Sequence, residues 1–166
     1  MSNISTPNWF IVFALIFGFL GDFFLMWTGR FFTAGLISFL VGHVFYIIAL
    51  LEPVSFSNIP FGVYILVLPF IFYGVFIYKN LLPYLKSMKI HAFLYLTVIL
   101  IMSFSSLLRI CSINNYQFWM PFLGALLFIS SDTMLAFNQF RGKGREEYIM
   151  ITYIAAQLLI VLGFML

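Results

Sequence analysis

"WFIVFALIFGFLGDFFLMWT", Trp9 to Thr28, is twenty residues long and holds one ionisable side chain, Asp22. At ~1.5 Å per residue a helix of that length crosses about 30 Å, the thickness of a bilayer's hydrocarbon core. Trp9 and Trp27 would stand about 27 Å apart on it, which suits an aromatic belt at each interface. The segment ahead, "MSNISTPN", has no Lys or Arg. A cleaved signal needs a basic start and a shorter apolar core. The run is therefore expected to be a retained span.

The remainder of the chain extends this pattern. Of 166 residues, 64% are hydrophobic and 8% charged, against about 25% charged in a soluble domain. Such a chain cannot present a wettable surface, so lipid is the solvent for most of it. Five further runs are long enough to cross: Phe31–Leu51, Ile59–Tyr78, Ile90–Leu108, Phe118–Phe137 and Tyr148–Leu166. The expected fold is all-α, a polytopic transmembrane bundle of about six spans forming one integral membrane domain over residues 1–166. Pro60 opens the third span, where a missing N–H costs nothing, and Pro69 lies inside it and should kink it.

Loop charge sets the orientation. Arg30, Lys79, Lys86, Lys89, Arg141, Lys143 and Arg145 follow spans one, three and five, and only Arg109 lies on the other side. This positive-inside bias puts the basic loops in the cytoplasm and both termini on the non-cytoplasmic side. The expected setting is a multi-pass protein of a bacterial inner or cell membrane. The net charge of +3 reflects loops touching anionic headgroups, and no basic stripe on a soluble face supports nucleic-acid binding. Cys111 is the only cysteine, which excludes an internal disulfide. There is no G-x-S-x-G or C-x-x-C, and two histidines at unlike depths argue against a zinc site. No metal or other cofactor is expected.

Asp22, His43 and Asp132 are the ionisable residues well inside spans. Each costs roughly 2.5–3.5 kcal/mol at a helix centre even on the mild insertion scale, which marks them as functional candidates. Asp22 sits about 9 Å from the inner end of its span, Asp132 at nearly the same depth, and His43 roughly 18 Å in. Ala14, Gly18 and Asp22 follow one another at four-residue steps, and Ala125, Asp132 and Ala136 share a stripe. Small residues of this kind let membrane helices approach closely. Two carboxyl groups in one poorly hydrated layer tend to hold one proton between them, because burial disfavours charge and ionising one disfavours the other. That supplies an acid and a base together. It serves proton-coupled transport equally well, and an aspartate can also simply bond a neighbouring helix. His43 is a candidate orienter or proton shuttle, or a histidine satisfied by its own helix. Gln157 either bonds substrate or glues helices, Ser130, Ser131 and Thr133 can bond their own backbone, and His91 lies at a well-solvated interface. Arg109 is expected to snorkel to headgroups.

The ordered set "GDFFLM" (Gly21–Met26), "GLISFLVGHVFYI" (Gly35–Ile47), "GALLFISSDTMLAF" (Gly124–Phe137) and "YIAAQLLI" (Tyr153–Ile160) resembles the YhhN-like lysoplasmalogenase family. Members are usually longer, with further helices and a Lys-Pro element ahead of the Gly-Asp helix, so this chain is expected to be either a short member or an incomplete reading frame. The resemblance implies hydrolysis of the vinyl ether bond of a lysoplasmalogen to a fatty aldehyde and glycerophospho-ethanolamine or -choline. It implies Asp22 and Asp132 as catalytic residues, with His43, Tyr46, Ser131 and Gln157 supporting them or binding substrate. The partners would be the lysophospholipid substrate and membrane lipid. The phosphate would pair with Arg30 and Arg141, whose other reading is as topology determinants. Two competing readings stay open at this point: a proton-coupled transporter of a small solute, and a non-catalytic scaffold.

Overall fold

Asn8 starts the first helix: its side-chain oxygen accepts from the backbone N–H groups of Phe10 at 3.0 Å and Ile11 at 3.4 Å, satisfying donors that a helix start leaves free. A computed structural model describes residues 8–27, 31–113, 116–142 and 145–165. Thr28, Arg30, Lys143 and Leu166 lie outside the described residues. Helix α1 covers Trp9–Met26, α2 Phe32–Leu51, α3 Phe61–Tyr64, α4 Val67–Leu81, α5 Lys89–Leu108, α6 Tyr116–Arg141 and α7 Glu146–Met165. Six segments among the described residues are long and apolar enough to cross a membrane, α3 and α4 together making the third. The chain is an all-helical, multi-pass membrane protein.

The third span breaks where Pro69 dictates. Pro69 has no N–H to give the carbonyl of Ile65, four residues back. Leu68 N–H takes that carbonyl instead at 3.0 Å, a tighter turn, and regular helix resumes only at Val67. The expected kink is thus a full interruption at Ile65 and Leu66. At the other extreme α6 runs to Arg141, four residues past the expected end. Gly142 follows at φ 63, and its N–H bonds the Asn138 carbonyl at 2.9 Å. Only glycine adopts that left-handed turn without a Cβ penalty.

Packing is inside-out relative to a soluble protein. Phe19, Phe72, Phe76 and Ile151 point outward, while Ser38, His43, Ser103, Ser106, Ser131 and Asp132 are buried. With hydrocarbon outside, burying apolar surface gains little, so close backbone approach and interhelical hydrogen bonds hold the helices together. A Cβ on Gly42 of α2 would stand 3.1 Å from the Ala14 carbonyl of α1, and Ser38 donates to the Phe17 carbonyl at 2.7 Å. The small-residue face expected on α1 is divided: Ala14 meets α2, while Gly18 and Asp22 turn to Gln157 and Tyr153 of α7. A Cβ on Gly124 of α6 would stand 2.8 Å from the Ala156 carbonyl of α7, and Gly163 makes room for the Pro121 ring. Packing then runs α1–α2–α5–α6–α7, with α4 against α5 and α6. The third span sits at the margin of this group.

Among the described cations, Lys79, Lys86, Lys89, Arg141 and Arg145 fall at one end of the bundle, called the basic end below, and Arg109 at the other. Arg109 does not snorkel. It is 2% exposed, donates to the Gln117 carbonyl at 3.2 Å, and lies 4.5 Å over the Phe164 ring. Helices α5, α6 and α7 converge there and enclose it.

Candidate active site

Helix α2 presents His43 and Tyr46, three residues apart, on the face turned into the bundle, and both are 2% exposed. Nδ1 of His43 lies 2.6 Å from the Phe39 carbonyl one turn back. Because a carbonyl only accepts, Nδ1 carries the proton, and in the neutral ring Nε2 is left with its lone pair. Nε2 points at Oδ2 of Asp132 on α6, 3.6 Å away. The same Oδ2 receives the hydroxyl of Tyr95 from α5. The His43 ring is wedged edge-on between Phe128 at 4.8 Å and Tyr95 at 5.5 Å. Tyr95 therefore holds one carboxyl oxygen by a hydrogen bond, and Nε2 of His43 faces the same oxygen from beyond hydrogen-bond distance.

Asp22 has a different setting. It is half-buried on α1 and faces Tyr153 of α7. The Tyr153 hydroxyl forms no hydrogen bond of ordinary length, so the two groups face one another across a gap. Asp22 and Asp132 are close enough to feel each other's charge, but no hydrogen bond links them. Counted from the helix ends, Asp22 is about 6 Å in and Asp132 about 14 Å.

A narrow apolar cleft, with room of about 70 Å³, opens beside Asp132. Phe32, Met88, Gln139 and Phe140 line it at the basic end, and the half-buried Tyr95 and the buried Asp132 are polar groups in its wall. Arg141, next to Phe140, lies 4.9 Å over Tyr84 and 5.3 Å over Phe137. Asp22 does not line the cleft. Phe39 does, and a Cβ on Gly21, beside Asp22, would come within 2.7 Å of its ring. Phe39 thus borders the cleft and packs against the α1 backbone at Gly21.

The remaining candidates divide. Tyr46 is buried at this centre with its hydroxyl unpartnered, 6.0 Å from the Phe128 ring. Gln157 is half-buried on α7 against Gly18. Ser131 is not available to a substrate: its hydroxyl donates to the Ile149 carbonyl at 3.0 Å and ties α6 to α7. Ser130 bonds its own helix at Leu126, Thr133 is paired with Tyr73 at 2.8 Å, and His91 is exposed. Among the described residues no group of three or more His, Cys, Asp and Glu side chains forms a metal-ligand cluster. Tyr95 and Tyr153 were not among the expected residues. For Tyr153 a signal existed, since it precedes Gln157 by four residues and so shares its helix face. For Tyr95, one of nine tyrosines, nothing local distinguished it from an interfacial aromatic.

The sequence profile of the YhhN family matches residues 1–164. No solved structure matches the chain.

Proposed function

Because the chain belongs to the YhhN family, we propose that it is a membrane-embedded hydrolase that cleaves the vinyl ether bond of lysoplasmalogens. The observation that carries this reading is a carboxyl group, held by Tyr95 and faced by His43, in the wall of an apolar cleft lined toward the basic end. A vinyl ether resists nucleophiles but cleaves once its terminal carbon is protonated, and a buried carboxylic acid is suited to that step. The transition state resembles the oxocarbenium ion of glycoside hydrolysis, where two carboxyl groups share the work.

Asp132 is the acid. It gives its proton to C2′ of the alkenyl chain, leaving an oxocarbenium ion at C1′. Asp22 stabilises that cation and takes a proton from water as the water oxygen attacks C1′. The hemiacetal collapses: Asp132 recovers a proton from its hydroxyl, and Asp22 returns one to the departing glycerol oxygen. The products are a fatty aldehyde and glycerophospho-ethanolamine or -choline. Nε2 of His43, fixed in direction by the Phe39 carbonyl, buffers the proton on Asp132. The alkenyl chain lies in the cleft, and the phosphate stays at the basic end, paired with Arg141. In a bacterial inner membrane that end is cytoplasmic.

Purified protein in detergent is expected to release aldehyde from lysoplasmenyl-ethanolamine. Asp22→Asn and Asp132→Asn should each lower the rate by about 10²–10⁴-fold while the protein still elutes as a folded species. Unchanged turnover in both variants would sink the assignment.

A further inference from the structure

Polar groups from two helices meet beside Gly18, and the mechanism above employs only Asp22 among them. A Cβ built on Gly18 of α1 would lie 3.0 Å from Nε2 of Gln157 and 3.1 Å from the Tyr153 hydroxyl. The missing side chain lets both groups of α7 come up against the α1 backbone, one helical turn from Asp22. Tyr153 is 7% exposed, and its ring is held edge-on by Phe128 at 5.4 Å and Phe39 at 5.9 Å. The hydroxyl so positioned faces the Asp22 carboxyl group but makes no hydrogen bond of ordinary length. A buried hydroxyl without a partner is uncommon and calls for one from outside the chain. Its polar neighbours are a carboxylate, Asp22, which accepts, and an amide, Gln157, which can donate.

We infer that Tyr153, Gln157 and Asp22 form a binding site for a single hydroxyl group, and that its occupant is the water that attacks the oxocarbenium ion. The inference rests on the hydrolase reading. Tyr153 and Gln157 hold the water oxygen, and Asp22 receives the proton that leaves it as the C1′–O bond forms. Protonation of C2′ by Asp132 is a separate step that precedes water attack on C1′. The two halves of the reaction can therefore be disabled one at a time.

Turnover in D₂O separates them. In the wild type, water captures the cation faster than the cation gives back its proton, so deuterium enters the aldehyde and the recovered substrate stays unlabelled. In Tyr153→Phe the water is poorly held, and aldehyde release should fall about tenfold or more. The cation then reverts by loss of a proton or deuteron to Asp132, and recovered lysoplasmalogen carries deuterium at C2′. Gln157→Leu should give the same label, which keeps the test decisive if Tyr153→Phe does not fold. Normal aldehyde release in both variants overturns the inference. So does reduced release without deuterium in the substrate, as does a raised KM alone, the signature of a site for a substrate hydroxyl. A wild type that yields neither aldehyde nor label defeats the hydrolase reading itself, a result distinct from all of these.

Discussion

Oδ2 of Asp132 takes the Tyr95 hydroxyl and faces Nε2 of His43 at 3.6 Å. Both contacts come from other helices, and the Tyr95 hydrogen bond orients the carboxyl group. A hydrogen bond to a charged group contributes about 1.5–3 kcal/mol, which sets the expected effect of Tyr95→Phe. The variant should lose roughly 10- to 100-fold in aldehyde release with the fold intact, measured as kcat in detergent alongside circular dichroism. An unchanged kcat would mean that Tyr95 merely packs. At this scale the two aspartates and His43 were legible, because an ionisable group inside an apolar run has few structural reasons to be there. Their tyrosine partners were not, since a tyrosine is at home both in a membrane interior wall and at its interface.

The helices themselves followed from apolar length, and their ends moved by only a few residues. What length did not give is how closely they approach. Helices α6 and α7 meet where a Cβ on Gly124 would press to 2.8 Å on the Ala156 carbonyl and to the same distance on Ile160. A backbone carbonyl cannot swing aside as a side chain can. Gly124→Ala should therefore push the two helices apart and cost about 1–3 kcal/mol, the usual penalty of overpacking. It should appear as a lower unfolding temperature in detergent. The control is Gly62→Ala, since a Cβ there would meet nothing within 4 Å, and it should leave that temperature unaltered. Ser131 illustrates the same limit of sequence reasoning. Its position next to Asp132 suggests a role in the site, yet its hydroxyl serves the α6–α7 contact through Ile149.

Across the whole molecule the described basic residues other than Arg109 gather at one end, and the cleft is lined toward that end. The charge bias predicts that this end is cytoplasmic. In a Cys111→Ser background, Ser87→Cys should react with a membrane-impermeant maleimide only after the cells are permeabilised. Pro53→Cys, at the opposite end, should react in intact cells, and the reverse pattern would invert the topology. The sequence by itself determined the solvent, the number of crossings and the residues out of place in lipid, because each of these depends on local composition and on length. Only the tertiary structure decided which polar groups meet: Asp132 with His43 and Tyr95, Asp22 with Tyr153, and Arg109 buried instead of snorkelling. Those pairings depend on the rotation and offset of packed helices. Glycines, serines and the interruption before Pro69 set these offsets jointly, and no single run of residues encodes them.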